Sequence, residues 1–558
     1  MNIKKFAILI CTVLFAMVFA ACSKTGSANL TNDKTEDENN EYKPKVISKE
    51  LNSYDLESGR KDEYEADLWE FDLGAKEYIS NDGVPMPYNV RGIIGAPKKP
   101  GKYPLVLITH GSHSNDDENL RFDTGFDYLV EALANNGFIV VSMDMSKPYI
   151  WKYGDNQEEE KSPPLAREHI LALIEANSGS DPGYGISLED KIDFDNVGLL
   201  GHSRGGEIIY TIANELSQDD ELGNVNFRAF LSLAPTYLSD REWPDADTAI
   251  IVPELDGDVI SLDGYNSYRY LTSESQGSHN IILVKNANHN FFNKNIERND
   301  ALMLANEEEL TYLLSREDHQ DFLTNFSIDF FQSSLLEANN SFINMQDKTL
   351  VNTMYGYDVL VMQKNSDSKD IVDIQSLDGL IAKNKATAHK KIDSWFYKDD
   401  EIIIDTITAP EEPFNLRHLI NVKWHSNEDS LSIDPMISDF TGYNSLNIDL
   451  VMDAADDLND KSKASQFSLA IQDKLGNITN LTLPENLNVL KAKDGEILTT
   501  ELEDLDINYW SKPTPLGSIR VPLNELENID LGNIESISLV FDKISSGSLF
   551  IDSVYLSK

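Results

Sequence analysis

The sequence NVGLLGHSRGGEIIY at residues 196–210 places a serine, Ser203, between glycines at the end of an apolar run. The apolar residues before the serine predict a buried strand, and the residues after it predict a helix. A serine in a sharp strand-to-helix turn is typical of a nucleophile elbow, in which Gly201 and Gly205 allow the strand and the helix to approach closely. Because the G-x-S-x-G pattern is short enough to occur by chance, its interpretation depends on the rest of the chain.

Buried-strand patterns alternate with amphipathic patterns on both sides of this turn. Runs that are apolar on both faces suit the interior of a parallel sheet, and strands that alternate with helices favour a sheet covered on both sides. The strand patterns lie at residues 103–111, 137–145, 196–203, 228–236, 248–256 and 280–289, and the helical patterns include residues 125–136, 165–177 and 316–339. The sequence therefore predicts an α/β domain with a mostly parallel central sheet over residues 64–340.

A base and an acid for the serine follow later predicted strands. A serine hydroxyl is a weak nucleophile unless a base accepts its proton. His289 directly follows the last predicted strand, and Asp256 ends the strand before it. Because the carboxyl ends of parallel strands meet at one edge of a sheet, Ser203, Asp256 and His289 are expected to form a catalytic triad in that chain order. Asp258 is the alternative acid. A calcium loop in this acidic stretch would not fit the EF-hand spacing, and no metal site is predicted.

Two backbone N–H groups are expected to stabilise the oxyanion that forms during attack by the serine. One belongs to Arg204, directly after the nucleophile, and the other to Ser112 in the sequence HGSHSN. His110 is expected to brace this turn and His113 to line the mouth of the site. The side chains of His202 and Arg204 are expected to be scaffold or rim residues.

The motifs THGSHSN, GHSRGGE and NANHNFF make residues 85–335 resemble the α/β-hydrolase superfamily. The resemblance is to its dienelactone-hydrolase-like, chlorophyllase-like and platelet-activating-factor-acetylhydrolase-like branch. It implies a serine nucleophile, a covalent acyl-enzyme and no metal or organic cofactor. A dienelactone hydrolase would carry cysteine at position 203, so the serine favours hydrolysis of another kind of ester. Tyr149, Trp151 and Tyr153 either line an apolar pocket or pack as an ordinary loop.

The pattern changes after a predicted linker at residues 341–365. Regularly spaced short strands with Gly, Asn and Asp turns predict an all-β antiparallel sandwich over residues 366–558. Its closing strands resemble jelly-roll, carbohydrate-binding-like modules, which makes a polysaccharide a possible partner. Trp424, Tyr509 and Trp510 are candidate sugar platforms, although the alternation around Trp424 favours a core position. The alternative is a rigid accessory domain.

Near the start of the chain, Lys4 and Lys5 precede a short apolar run that ends in the sequence FAAC. This segment resembles a bacterial lipoprotein signal over residues 1–21, with Phe19 in place of the usual leucine; a single membrane-spanning helix is the alternative. The resemblance implies lipid attachment to Cys22 and an extracytoplasmic, membrane-anchored protein. The only other cysteine is Cys11, so no disulfide is expected after cleavage. The polar residues 22–63 predict a disordered tether.

The chain is strongly acidic, with 94 acidic and 47 basic residues among 558. This charge disfavours nucleic acid, anionic lipid surfaces and anionic polymers as partners. The sequence as a whole predicts a lipid-anchored serine hydrolase that cleaves carboxylic esters, with a small-molecule or lipid ester as substrate. The alternatives are an acyltransferase or peptidase with the same triad, or a catalytically inactive glycan-binding lipoprotein.

Overall fold

The computed structural model describes seven segments of the chain. The segments are residues 43–154, 157–236, 242–338, 350–374, 376–393, 417–502 and 505–558. The predicted signal segment and Cys22 lie outside the described residues. No helix within these segments is long and apolar enough to cross a membrane.

The central sheet contains eleven strands. Together with β1, which belongs to another sheet, the strands up to residue 365 are in chain order β1 (Val46–Glu50), β2 (Tyr54–Leu56), β3 (Ala66–Ile79), β4 (Pro85–Pro97), β5 (Tyr103–Thr109), β6 (Ile139–Met143), β7 (Ile192–His202), β8 (Phe227–Leu233), β9 (Asp247–Pro253), β10 (Ser278–Val284), β11 (Val351–Met354) and β12 (Tyr357–Asn365). The spatial order is β2-β11-β12-β10-β9-β8-β7-β5-β6-β4-β3. Strands β5 to β10 are mutually parallel, and β4 and β12 run antiparallel to their neighbours β6 and β10. This arrangement confirms the mostly parallel sheet.

Helices cover both faces of this sheet. They are α1 (Asp127–Asn135), α2 (Glu158–Asn177), α3 (Arg204–Leu216), α4 (Gly264–Glu274), α5 (Glu307–Tyr312) and α6 (Arg316–Leu336). One apolar core joins Leu105 and Leu107 of β5 to side chains of α2, α3 and α4, whereas Val106 and Ile108 of the same strand pack with α1 and α6. Because successive strand residues point to opposite faces, a strand between two helical layers is apolar throughout.

The described residues after residue 365 form strands and a few single 3-10 turns, with no α-helix among them. The strands are β13 (Lys369–Asp370), β14 (Leu380–Lys383), β15 (Thr387–Asp393), β16 (Arg417–Trp424), β17 (Ser430–Ile433), β18 (Ser445–Met452), β19 (Ser468–Asp473), β20 (Ile478–Thr482), β21 (Ile497–Leu502), β22 (Leu505–Trp510), β23 (Gly517–Pro522), β24 (Ile534–Val540) and β25 (Gly547–Ser557). We call residues 366–558 the C-terminal β-region. Two six-stranded sheets, β1-β20-β19-β24-β17-β14 and β15-β16-β25-β18-β23 with β13 paired to β25, share one apolar core. The jelly-roll class stays a prediction.

Two predicted segment assignments do not hold for the residues that the structure describes. The predicted linker 341–365 contains β11 and β12, and β12 pairs antiparallel with β10 along the central sheet. The predicted tether 22–63 contains β2, which pairs with β11, and β1, which pairs with β20 of the C-terminal β-region. Strands β1, β2 and β11 have only three to five residues, so their pairing depends on backbone groups that other strands offer rather than on a long apolar run of their own. The nine-residue β12 lies inside the sheet, between β11 and β10.

Candidate active site

The turn between β7 and α3 has the geometry of a nucleophile elbow. Ser203 has φ +56° and ψ −129°, a conformation that non-glycine residues rarely adopt. The turn is crowded, because a Cβ on Gly201 would lie 2.1 Å from the Gly205 carbonyl oxygen. Helix α3 begins at the next residue, Arg204, so its N-terminal partial charge lies beside the serine and favours an anion there.

His289 and Asp256 form a buried hydrogen-bonded pair. The Nδ1 of His289 lies 2.9 Å from the Oδ2 of Asp256, and both residues are 1% exposed. Burial alone would lower the pKa of His289, but the charge and hydrogen bond of Asp256 raise it above its ordinary value, with further contributions from Asp300 and Asp258. The pair can therefore accept and hold a proton within the protein interior.

The loop between β9 and α4 carries both candidate acids, Asp256 and Asp258, and we call it the acid loop. Its hydrogen bonds distinguish the two acids. The Oδ1 of Asp256 accepts hydrogen bonds from the backbone N–H groups of Asp258 (3.0 Å) and Val259 (2.6 Å), which leaves Oδ2 directed at His289. The carboxylate of Asp258 lies instead 3.5 Å from the guanidinium of Arg298. The structure thus brings Asp256, and not Asp258, onto the histidine.

The loop that follows β10 carries His289, and we call it the histidine loop. His202 connects this loop to the elbow. Its Nε2 donates a hydrogen bond to the carbonyl of His289 (3.0 Å), and the two rings lie 4.8 Å apart. The ring of His113 lies 4.9 Å from His202 and 6.4 Å from His289. Burial lowers the pKa of His113 and of His202 well below the ordinary value, so neither is a cation near neutral pH. His202 is therefore scaffold, as expected, and Ser203 follows it directly.

The predicted oxyanion loop is in contact with the elbow. A Cβ on Gly111 would lie 2.6 Å from the Cβ of Ser203, so only glycine fits there and the backbone before Ser112 passes against the serine. Asn115 fixes this loop by donating from Nδ2 to the Ser112 Oγ (2.9 Å) and to the Tyr149 carbonyl (2.8 Å). The structure therefore brings the Ser112 loop, Ser203 and the start of α3 together.

His110 holds the Ser112 loop through hydrogen bonds to the segment that follows β6. Its Nε2 accepts a hydrogen bond from the Met145 N–H (3.0 Å), and its carbonyl accepts one from the Tyr149 hydroxyl (3.2 Å). The Arg204 side chain forms an ion pair with the buried Glu158 of α2. Both arrangements agree with the structural roles that the sequence predicts for these side chains.

The aromatic candidates divide into buried and exposed side chains. Tyr149 and Tyr153 are buried, whereas Trp151 is 57% exposed. In the C-terminal β-region, Trp424 is fully buried and stacks on Phe541, with ring centroids 4.2 Å apart. Trp510 is 5% exposed. The two tryptophans are therefore core residues and not exposed platforms for a sugar.

Asp300 is a residue of the site that the sequence analysis missed. Its buried carboxylate accepts hydrogen bonds from the backbone N–H groups of Gly257 (2.9 Å), His289 (3.0 Å) and Asn290 (3.0 Å). These groups belong to the acid loop and to the histidine loop, so one side chain joins both. The surrounding sequence ERNDALM carries no motif that could have marked it.

Comparison with known proteins adds one finding. Residues 75–242 match the family model described as Chlorophyllase. The matched segment includes the Ser112 loop and the elbow with Ser203, and it ends before Asp256. The match supports an α/β-hydrolase superfamily domain and indicates a hydrolase that acts on esters. No curated protein matches the chain.

Proposed function

We propose that this protein is a serine hydrolase that cleaves carboxylic esters, with Ser203 as nucleophile, His289 as base and Asp256 as the acid that orients the base. The observation that carries the proposal is the buried His289–Asp256 pair, 2.9 Å apart, whose histidine contacts His202, the residue directly before a serine in the strained elbow conformation. Backbone strain at one serine and a buried histidine–carboxylate pair in the neighbouring loop are costly features that a plain structural turn does not need.

The first half of the reaction forms an acyl-enzyme. The Oγ of Ser203 attacks the ester carbonyl carbon while its proton passes to the Nε2 of His289. The Nδ1–H of His289 donates to Asp256, which stabilises the imidazolium. The oxyanion of the tetrahedral intermediate accepts hydrogen bonds from the backbone N–H groups of Ser112 and Arg204. The imidazolium returns its proton to the departing alkoxide, and the alcohol leaves.

The second half repeats these steps with water. His289 accepts a proton from the water that attacks the acyl carbon, and the same two N–H groups stabilise the second oxyanion. The tetrahedral intermediate collapses, His289 protonates the Oγ of Ser203, and the carboxylic acid leaves. Every proton removed is returned, so the cycle needs no metal or organic cofactor.

Ester turnover tests the proposal. The chain without residues 1–21 is assayed with p-nitrophenyl esters of short and long acyl chains, and Ser203→Ala is expected to reduce kcat by about 10⁴-fold or more. Ser180→Ala, which changes an exposed serine in the turn before β7, is the matched control and is expected to keep full activity. Turnover that survives in Ser203→Ala would exclude this serine as the nucleophile.

The proposal extends to the location of the enzyme. The sequence FAAC before and at Cys22 supports lipid attachment and an extracytoplasmic position. Cys22→Ser is expected to abolish incorporation of labelled palmitate and to move the protein from the membrane fraction to the soluble fraction. Undiminished labelling of Cys22→Ser would contradict the lipid anchor and leave the ester chemistry unaffected.

A further inference from the structure

A lysine of the C-terminal β-region contacts the base of the acid loop. The Nζ of Lys493 lies 2.6 Å from the Oε1 of Glu254. The Glu254 side chain is 9% exposed and that of Lys493 is 21% exposed. Glu254 precedes Asp256 by two residues, directly after β9. The C-terminal β-region therefore reaches the loop that carries the candidate acid.

The same carboxylate also holds the histidine loop. The Oε2 of Glu254 accepts a hydrogen bond from the backbone N–H of Asn286 (3.0 Å), three residues before His289. Asn286 has φ +59°, which sets the turn that leads from β10 to the histidine. The N–H of Leu255 donates to the Ala287 carbonyl (2.8 Å), so the two loops run side by side. One glutamate thus joins the acid loop to the histidine loop.

The charges around this glutamate make Lys493 its main counterion. Burial alone would raise the pKa of Glu254, but Lys493 and Lys285 lower it to about 2. The Nζ of Lys493 also lies 4.0 Å from Glu309, which forms an ion pair with Lys512. A buried carboxylate that loses its counterion is strongly destabilised and tends to move toward solvent. Removal of Lys493 would therefore disturb both loops through Glu254.

We propose that Lys493 is a positioning residue of the active site, which fixes the loops of Asp256 and His289 through Glu254. The C-terminal β-region is then part of the catalytic scaffold and not an independent accessory module. This inference rests on the proposed ester hydrolase for its kinetic readout, whereas the contacts that carry it are independent of the substrate.

The kinetic test uses Lys493→Met in the chain without residues 1–21. Loss of loop alignment is expected to lower kcat for a p-nitrophenyl ester by about 10- to 100-fold and to change KM by less than about twofold. A looser Asp256–His289 pair is expected to shift the acid limb of the rate profile to lower pH, because Asp256 raises the pKa of His289. Lys493→Arg, which keeps the charge, is expected to recover most of the rate.

The matched control is Tyr265→Phe. The hydroxyl of Tyr265 in α4 donates to the Leu516 carbonyl (3.0 Å), so this variant removes another hydrogen bond between the two parts of the chain and keeps both Lys493 and Glu254. It is expected to keep the wild-type kcat and pH profile. Equal rates for Lys493→Met and wild type, or equal losses in Lys493→Met and Tyr265→Phe, would overturn the proposal.

Amide hydrogen exchange tests the contacts without any substrate. Peptides that cover residues 284–290 are expected to exchange faster in Lys493→Met than in wild type, with little change elsewhere, and to stay unchanged in Tyr265→Phe. Unchanged exchange in this loop, or faster exchange throughout the chain, would contradict a positioning role. If the wild type hydrolyses no ester, the proposed function fails and this measurement still decides the role of Lys493.

Discussion

The carboxylate of Asp300 connects the loop that carries the candidate acid to the loop that carries the candidate base. Its oxygens accept hydrogen bonds from the N–H groups of Gly257, His289 and Asn290, and the side chain is fully buried. An amide in its place would direct an NH₂ group at one or more of these donors. Buried donors that lose their acceptor cost about 1–3 kcal/mol each, so this residue matters for stability and for alignment.

We therefore expect Asp300→Asn to lower kcat by about 10- to 100-fold and to lower the free energy of unfolding by about 1–3 kcal/mol. Asp300 also raises the pKa of His289, so the acid limb of kcat/KM is expected to move to lower pH. Asp181→Asn is the matched control, because Asp181 is exposed and accepts the Gly183 N–H (3.0 Å) in the turn before β7. Similar kinetics for both variants would refute the alignment role.

The pH dependence of the wild type follows from His289. The histidine must be neutral to accept the proton of Ser203, and its pKa is raised above the ordinary value of about 6.5. The value of kcat/KM is therefore expected to rise with pH and to reach half its maximum above about pH 6.5. A rate profile that is flat from pH 5 to 8 would show that no such histidine acts as the base.

At the scale of elements, the elbow and the Ser112 loop form one unit. Only glycine fits at position 205, because a Cβ there would lie 2.6 Å from the His110 carbonyl oxygen. Only glycine fits at position 111, because a Cβ there would lie 2.6 Å from the Ser203 Cβ. We expect Gly111→Ala to displace the Ser112 N–H and to lower kcat by about 100-fold or more. Gly532→Ala, whose Cβ meets no atom closer than 3.3 Å, is the control. Full activity of Gly111→Ala would mean that the oxyanion site lies elsewhere.

The sequence predicts elements well where the pattern is local. The strand before Ser203 and the strands that end near Asp256 and His289 are apolar on both faces, and each is present in the central sheet. Strand β2 could not be predicted in this way, because it has three residues and its place depends on pairing with β11, far away in the chain. The apolar run VLVM at residues 359–362 marks β12 locally, but its antiparallel pairing with β10 depends on the whole fold. Asp300 and Glu254 act through backbone N–H groups of other loops, which no local pattern marks.

At the scale of the whole molecule, the two parts of the chain are bound to each other by buried contacts. Residues 44–558 form one compact unit. Lys493 and Glu254 form an ion pair, and the Tyr555 hydroxyl donates to the Gln363 carbonyl (2.9 Å) at the edge of the central sheet. Strand β1, which precedes the central sheet in the chain, belongs to a sheet of the C-terminal β-region. The two parts are therefore expected to unfold together.

Urea unfolding followed by pulsed hydrogen exchange checks this expectation. Peptides from β5 and β7 and peptides from β18 and β25 are expected to lose protection at one common midpoint, as in a single cooperative transition. Two separate midpoints would contradict the coupling and would restore the view of the C-terminal β-region as an independent module.

If Ser203 is the activated nucleophile of a serine hydrolase, a fluorophosphonate will label it covalently. The protein is treated with a fluorophosphonate probe, digested with trypsin and analysed by mass spectrometry. We expect one adduct, on Ser203 in the peptide IDFDNVGLLGHSR (residues 192–204), and its loss in His289→Ala. An adduct on another residue, or the absence of any adduct on the folded protein, would show that Ser203 is not the nucleophile.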